Sequence, residues 1–491
     1  MLVSNTGNLL ICLFSIFSNL YSILFLESNI FSSDSYIIYF VKYKIKYFKS
    51  ERYSQIKHDS DDRQNIDDNT FKTIYNFKDD NLPSINHHIA HHLSYKLFVD
   101  KEPKISIIIE GEGNKRSWSV IKNNTIIDSE LIINSGSIGH AMVFLARHFK
   151  LYGNVQDLAG KVMGLQSYGN VDTEYLDYLK KFHINDIGTI FHPIRIIDIE
   201  NGLCSIKAYK KFKNTDEVNE LDWLKTLHTR FGEIILELFN KHCDPDDVIY
   251  YSGGVAQNVI WNTLLKKQFK NLVILPHCGD EGISFGGMQF LLEKANISKP
   301  DVSAYPFMQS DEAPSTEIQK ETIKKVAEHL ANGKIIAYYQ GHGEIGPRAL
   351  GNRSILMDPR IPNGKEIINK IKNREYFRPF GASVLEEYAK EYFDLDFPNP
   401  YMLYVGITQK QNLNAITHID GTCRVQTVDK NVGHFRQLLE EFYRITDCPV
   451  LLNTSLNNSG NPIAGWIENA KEEFLNKDID VLVIGNELYL K

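Results

Sequence analysis

The sequence predicts an α/β protein that is divided into two domains. From Glu51 onward, short apolar runs alternate with amphipathic stretches, which is the pattern of strands that alternate with helices. The chain has 491 residues, and a single hydrophobic core stops growing at roughly 250 residues. The stretch 299–315 carries three prolines and no periodicity, so it is predicted to be an interdomain linker. The first domain is therefore placed at 51–298 and the second at 316–491.

The elements of the first domain begin with three strand-like runs, at 105–109, 247–251 and 272–275. Between the second and the third run, Val255 to Lys270 has the periodicity of a helix. This strand–turn–helix–strand unit favours a parallel sheet. In the second domain, Thr316 to Asn332 is predicted to be a helix and Lys334 to Tyr339 a strand, with further alternation to the C terminus.

The composition is that of an ordinary globular protein and excludes a fibrous or largely disordered chain. Hydrophobic residues make up 43% and charged residues 23% of the sequence. The formal net charge of -7 argues against a nucleic-acid partner, because binding to phosphates normally needs a surplus of Lys and Arg. The six cysteines form no Cys-x-x-Cys pair, so neither a disulfide framework nor a thiolate zinc site is predicted.

The segment 1–50 is atypical because Leu9 to Leu26 is almost wholly apolar. Its length would suffice to cross a bilayer, but four Ser and Asn residues dilute it and no Lys or Arg precedes it. A membrane or signal segment is therefore disfavoured, and a cytoplasmic protein without a membrane partner is expected.

Four histidines fall within the six residues His87-His88-Ile89-Ala90-His91-His92. On a helix, His87 and His91 lie one turn apart on the same face, where both imidazoles reach one metal ion. Packing is the alternative reading, since many His-x-x-x-His pairs bind no metal. Asp280 follows the strand-like run 272–275, and acids at the C-terminal ends of parallel strands commonly line a ligand crevice. Asp280 is thus a candidate third ligand.

A glycine pair, Gly253-Gly254, follows a strand and precedes a helix, where backbone N–H groups and the helix dipole favour a phosphate. A tight structural turn is the alternative. The second domain has a denser signal in 340–354 and 372–380, where arginines are interleaved with glycine and proline. These breakers exclude a solvated helical face, and guanidinium groups fixed on loops clasp phosphate or carboxylate oxygens. An anionic substrate is therefore predicted for this domain.

Taken together, these segments resemble the NodU/CmcH carbamoyltransferase family from about Glu51 to the C terminus. The resemblance also includes the runs 51–59, 160–165, 420–426 and 452–457. It implies an actin/hexokinase-like (ASKHA) domain, related to the tRNA threonylcarbamoyl transferases, followed by a YrdC-like α/β domain. The YrdC-like domain would make carbamoyl adenylate from carbamoyl phosphate and ATP, with Mg²⁺ accompanying ATP. The first domain would transfer the carbamoyl group to a hydroxyl of a small metabolite or sugar.

The resemblance also implies roles for single residues. The metal ligands, usually of iron and here of Fe(II) or another divalent metal, would be His87, His91 and Asp280. The nucleotide-binding turn would contain Gly253, Gly254 and Asn258. The carbamoyl phosphate pocket would contain Lys372, Arg378 and Arg424. The same pocket, or the adjoining nucleotide site, would be lined by Arg348, Arg353, Asn453 and Ser455.

Two departures from the family pattern leave alternatives open. Family members begin with a strand and a Gly-His-Asp loop, which Met1 to Ser50 does not match, and Glu110-Gly111 stands where Asp-Gly is usual. A threonylcarbamoyl transferase acting on tRNA is one alternative, opposed by the arginine-rich second domain. A catalytically inactive nucleotide-binding scaffold is another. The identity of the acceptor, the metal and the oligomeric state do not follow from the sequence.

Overall fold

The computed structural model describes residues 36–41, 44–49, 85–131, 137–181, 183–184, 205–309, 311–458 and 460–491. The apolar segment 9–26 lies outside these residues. The chain divides into two compact units, unit 1 and unit 2, with the boundary between Val302 and Ser303. Residues 303–309 and 311–315, part of the expected linker, thus belong to unit 2. Within the described ranges, no helix has both the length and the apolar character needed to cross a membrane.

Unit 1 contains seven strands among the described residues, and five of them form one sheet in the order β5-β4-β3-β6-β7. The strands are β1 (Tyr36–Val41), β2 (Lys44–Lys49), β3 (Ile105–Gly113), β4 (Arg116–Lys122), β5 (Thr125–Leu131), β6 (Ile249–Ser252) and β7 (Leu272–Val273). The helices are α1 (His87–Leu93), α2 (Ile138–His148), α3 (Val155–Leu165), α4 (Thr173–Leu179), α5 (Ile206–Lys213), α6 (Glu220–His242), α7 (Val259–Gln268) and α8 (Ile283–Ala295). Strands β1 and β2 form a separate antiparallel pair.

The parallel part of the unit 1 sheet lies where the sequence predicts it. β3 pairs with β6 and β6 pairs with β7, both in parallel. Ile107, Ile108 and Ile109 of β3 are all buried, as expected for the central strand of a sheet that is covered on both faces. The helix predicted from Val255 to Lys270 is interrupted, since Gly254–Gln257 is a short 3₁₀ turn. The α-helix starts only after Asn258, whose side chain caps it.

The short helix α1 depends on its cap and on a close neighbour. Asn86 Oδ1 accepts hydrogen bonds from the backbone N–H groups of His88 and Ile89, which fixes the first turn. Gly286 of α8 packs directly against α1, so closely that a Cβ there would lie 1.8 Å from Ala90 O. Glycine is therefore needed for α1 to sit at this depth.

Unit 2 contains one eight-stranded mixed sheet in the order β11-β12-β10-β13-β9-β8-β14-β15. Its strands are β8 (Ile336–Tyr339), β9 (Arg353–Met357), β10 (Gly381–Leu385), β11 (Tyr404–Ile407), β12 (Thr422–Val428), β13 (Val450–Ser455), β14 (Val481–Ile484) and β15 (Glu487–Leu490). Its helices are α9 (Lys320–Ala331), α10 (Gly364–Lys372), α11 (Ala389–Phe393), α12 (His434–Thr446) and α13 (Ile467–Asn476). The α/β class predicted from the sequence is thus confirmed in both units.

The start of α9 differs from the prediction, which placed it at Thr316. Asn486, in the turn between β14 and β15, holds the preceding residues in a non-helical path. Its Oδ1 accepts hydrogen bonds from Gln319 N at 2.7 Å and from Thr322 Oγ1 at 3.2 Å. A partner distant in the sequence therefore decides where this helix begins.

Replacement of Gly286 by alanine tests the close approach of α1 and α8. We expect Gly286→Ala to lower the free energy of unfolding by about 2 kcal/mol or more, because the new methyl group overlaps Ala90 O. Gly287, the next residue of the same helix, has no neighbour within 4 Å of an added Cβ and is the matched control. Gly287→Ala should stabilise the protein by up to about 1 kcal/mol through helix propensity. Equal urea denaturation midpoints for both variants would contradict the proposed contact.

Candidate functional site

Four side chains of unit 1 form a compact cluster of potential metal ligands. His87, His91, Glu110 and Asp280 each offer one ligand atom, and these atoms all lie within 4.8 Å of one another. His91 Nε2 lies 2.8 Å from Glu110 Oε1 and 3.2 Å from His87 Nε2. Asp280 Oδ1 lies 3.3 Å from His87 Nε2 and 3.5 Å from His91 Nε2. Two imidazoles and two carboxylates are a donor set that suits iron, manganese or zinc.

Three separate elements contribute these ligands. The two imidazoles project from one face of α1, Glu110 lies on the central strand β3, and Asp280 begins the 3₁₀ turn Asp280–Gly282 after β7. Glu110 was not among the ligands predicted from the sequence. Two signals pointed to this position, because an apolar strand run ends in a carboxylate there and Glu110-Gly111 stands where the family usually has Asp-Gly. The proximity of Glu110 to the histidines depends on tertiary structure.

A serine behind His91 orients its ring toward the carboxylates. His91 Nδ1 lies 3.1 Å from Ser252 Oγ, which itself donates a hydrogen bond to Cys278 O at 3.0 Å. Burial lowers the pKa of His91, but the charges and hydrogen bonds of Glu110 and Asp280 outweigh this effect and raise that pKa to about 9. His91 Nε2 therefore faces the carboxylate oxygens of Glu110 and Asp280.

The four neighbouring histidines divide into two groups. His92 is packed into the unit, with Nδ1 2.7 Å from Ser106 Oγ and Nε2 2.9 Å from Asn124 Oδ1. Burial lowers the pKa of His92 to about 4 and also lowers the pKa of the fully buried His88. Of the four histidines, only His87 and His91 join the ligand cluster. His88 and His92, which are also four residues apart, contribute to packing.

The glycine pair after β6 forms a tight turn beside this cluster. Gly253 has a φ of 100°, and a Cβ there would lie 2.2 Å from Ile109 O, so only glycine fits. Gly253 N donates to Cys278 O at 2.7 Å, whereas Gly254 N donates to Glu110 Oε1 at 2.7 Å. Asn258 caps α7 through Oδ1, and its Nδ2 lies 3.0 Å from His228 Nε2. The Asn258 side chain is thus engaged by the protein itself.

The second group of predicted residues is a convergence of cations in unit 2. Burial lowers the pKa of Arg424, and the nearby charges of Arg348, Arg374 and Arg378 lower it further. Arg424 Nε is buried and has no hydrogen-bond partner among the described residues. Arg374 was not among the predicted residues, although it lies in the same loop as Arg378. Three guanidinium groups, from two other segments of unit 2, therefore lie close enough to Arg424 to disfavour its charge.

Lys372 lies at the end of α10 and is almost completely buried. Its Nζ donates to Ser455 O at 2.5 Å, to Asn457 O at 2.6 Å and to Asn457 Oδ1 at 2.5 Å. Burial and the charge of Arg374 lower the pKa of this amine. Lys372 and Ser455 are thus in direct contact, and the lysine holds the segment that follows β13.

A buried carboxylate folds the arginine-rich loop 340–354. Glu344 Oε1 accepts hydrogen bonds from the backbone N–H groups of Leu350 at 2.7 Å, Asn352 at 2.8 Å and Arg353 at 3.2 Å. Such charge-assisted bonds are stronger than neutral ones. The loop that carries Arg348 is therefore fixed from inside the protein.

Asn453 and Arg353, both predicted to line the pocket, form hydrogen bonds with the backbone of the loop 340–354. Asn453 Nδ2 donates to Ala349 O at 3.3 Å and to Ser383 Oγ at 2.9 Å. The Arg353 guanidinium is fully buried, and it donates to Asp311 Oδ2 at 2.6 Å and to four backbone carbonyls. It also stacks over the Tyr339 ring at 3.6 Å. The donors of Arg353 are thus engaged by the protein itself, and its role in lining the pocket stays a prediction.

Comparison with known proteins identifies the family. A model of the carbamoyltransferase N-terminus matches residues 36–288, and a model of the carbamoyltransferase C-terminus matches residues 327–491. The chain therefore belongs to the carbamoyltransferase family of the NodU and CmcH type. The match begins at residue 36, earlier than the start near Glu51 that the sequence motifs suggested, so it includes the β1–β2 hairpin.

Similar proteins include several nodulation proteins. Nodulation protein NolNO of Sinorhizobium fredii is 30% identical over 439 residues, which are 83% of this chain and 64% of that protein. Nodulation protein NolO of Bradyrhizobium diazoefficiens is 30% identical over 441 residues, 83% of this chain and 79% of that protein. The chain thus spans somewhat less than two thirds of NolNO.

Two solved structures show remote similarity to parts of the chain. The activator of the 2-hydroxyisocaproyl-CoA dehydratase from Clostridium difficile is 14% identical, with a TM-score of 0.28, over 43% of this chain and 68% of that chain. Sua5 of P. abyssi is 14% identical, with a TM-score of 0.25, over 34% of this chain and 50% of that chain.

Removal of the Glu344 carboxylate tests how the arginine-rich loop is held. Glu344→Ala leaves three buried N–H groups without their acceptor, so we expect the free energy of unfolding to fall by about 3 kcal/mol. Glu344→Gln keeps an acceptor oxygen and should recover part of that loss. Glu366→Ala, at an exposed position on α10, is the control and should change the value by less than about 0.5 kcal/mol. A similar effect of Glu344→Ala and Glu366→Ala in urea denaturation would contradict this account of the loop.

Proposed function

We propose that the chain is an ATP-dependent O-carbamoyltransferase. Unit 2 forms carbamoyl adenylate from carbamoyl phosphate and ATP, and unit 1 transfers the carbamoyl group to a hydroxyl of a small metabolite or sugar. We further propose that unit 1 has the actin/hexokinase-like architecture and unit 2 the YrdC-like architecture. Membership of the carbamoyltransferase family supports the reaction class. The observation that carries the division of labour is the convergence of cations in unit 2.

The charge in unit 2 supports an anionic substrate there. The charges of Arg348, Arg374 and Arg378 disfavour the charge on Arg424, and partial burial of these side chains limits the water that would screen this repulsion. Such an arrangement costs free energy unless a polyanion neutralises it. Carbamoyl phosphate and the triphosphate of ATP, the latter with Mg²⁺, provide this charge, and guanidinium groups grip phosphate oxygens bidentately.

The proposed adenylation balances when one water molecule is consumed. Water and carbamoyl phosphate give carbamate and phosphate, and a carbamate oxygen then attacks the α-phosphorus of ATP and expels pyrophosphate. The fixed cations of unit 2 align the two anions and stabilise the charge that develops on the leaving pyrophosphate. Lys372 would act mainly by holding the segment that follows β13, because its donors bind Ser455 and Asn457.

The cluster in unit 1 suits the second step. We propose that His87, His91 and Asp280, joined by Glu110, hold Fe(II) or another divalent metal. When bound, such an ion polarises an acyl group and favours attack by an acceptor hydroxyl. The side chain of Asp280 is 53% exposed, which leaves this side of the cluster open to a ligand, whereas that of His91 is 0% exposed and fixes the inner side.

Loss of one guanidinium group tests the adenylation proposal. With ATP, Mg²⁺ and carbamoyl phosphate but no acceptor, the wild-type protein should release pyrophosphate. Arg424→Met keeps most of the side-chain volume and removes the charge, so we expect the rate to fall by about 100-fold or more. Transfer from chemically supplied carbamoyl adenylate in unit 1 should persist.

Arg444→Met serves as the matched control, because the side chain of Arg444 is 63% exposed and forms an ion pair with Glu441 at 2.7 Å. Its pyrophosphate release should equal that of the wild type. The adenylation proposal fails if the wild-type protein releases no pyrophosphate, or if Arg424→Met and Arg444→Met have the same rate.

A further inference from the structure

One carboxylate oxygen joins the ligand cluster of unit 1 to the glycine turn. Glu110 Oε1 lies 2.8 Å from His91 Nε2 and accepts the backbone N–H of Gly254 at 2.7 Å. The side chain is 7% exposed, so water competes little for these contacts. The backbone of Glu110 is fixed as well, since its carbonyl accepts a hydrogen bond from Ser137 Oγ at 2.8 Å. The Glu110 carboxylate can therefore exchange one of these partners for another without movement of the backbone.

A phosphate at the glycine turn and a cation between the histidines would act on this oxygen in opposite ways. A phosphate that binds at the turn needs the Gly254 N–H as a donor and is repelled by a carboxylate bonded to it. A divalent cation between the histidines attracts the same carboxylate toward the cluster. Movement of the Glu110 side chain toward the cation would release the Gly254 N–H for the phosphate.

We infer that Glu110 couples the metal site to the nucleotide site, so that occupancy of one strengthens binding at the other. This inference rests on the proposed function, because it takes the glycine turn as the place of the adenylate phosphate. Glu110 then contacts the metal itself and acts on the nucleotide site as a positioning residue, by releasing the Gly254 N–H. Coupling between two sites of a protein is reciprocal, so it is measurable from either ligand.

The experiment measures Mn²⁺ binding to the full chain by the electron paramagnetic resonance signal of free Mn²⁺. AMP is the nucleotide probe because it is the nucleotide part of carbamoyl adenylate and binds free Mn²⁺ more weakly than ATP does. The coupling factor is the ratio of the Mn²⁺ dissociation constants without and with saturating AMP. Factors of roughly 5 to 150 are typical of coupled sites, and we expect a wild-type value on the order of tens.

Glu110→Gln keeps the shape of the side chain but weakens its attraction to a cation. Its coupling factor should fall at least about fivefold below the wild-type value, leaving only the direct attraction between Mn²⁺ and the phosphate. Glu112→Gln, on the same strand and outside the ligand cluster, should keep the wild-type factor. Thermal melting of each variant verifies that it is folded.

The possible failures of the two proposals are distinguishable. A wild-type protein that binds Mn²⁺ with a coupling factor near one, or a Glu110→Gln variant with the wild-type factor, would overturn the coupling and leave the transfer proposal standing. A wild-type protein that binds no Mn²⁺ would overturn the metal-dependent transfer proposal and the coupling with it.

Discussion

The parallel register of β3 against β6 is the constraint on which the site in unit 1 depends. Ile108 pairs with Ser252, so Glu110 and Gly254 each lie two residues beyond this pair, side by side at the same edge of the sheet. The same register places Ser252 behind His91. Because a shift of one residue would turn these side chains to the other face, the strand pairing fixes the ligand set and the glycine turn together.

Unit 2 meets a different physical problem, which is to hold like charges close together. The arginines do not form this group by attraction, so the backbone that carries them must be fixed by other contacts. Glu344 binds three N–H groups of the loop that carries Arg348, and Asn453 binds the next residue of the same loop. The free energy of these buried bonds offsets the repulsion and preorganises the cations for an anion.

The sequence was sufficient to predict the α/β class and the location of His87 and His91 on one helical face. It also predicted strands at 105–109 and 247–251, which form as Ile105–Gly113 and Ile249–Ser252. These features follow from local periodicity and helix geometry. Glu110 and Arg374 were missed because their roles depend on neighbours that are distant in the sequence, such as His91 and Arg424. Arg353 and Arg348 lie in the same arginine-rich loop, and the ion pair of Arg353 with Asp311 could not be predicted because it depends on tertiary structure.

Anomalous X-ray diffraction from crystals grown with Mn²⁺ tests the metal-centred account of unit 1 most directly. The account predicts one strong anomalous peak at about 2 Å from the facing nitrogens of His87 and His91 and from a carboxylate oxygen of Asp280. This peak should disappear in a His91→Ala crystal of the same form. A crystal grown at a saturating Mn²⁺ concentration would contradict the account if it showed no anomalous peak between these side chains, or if its strongest peak lay elsewhere.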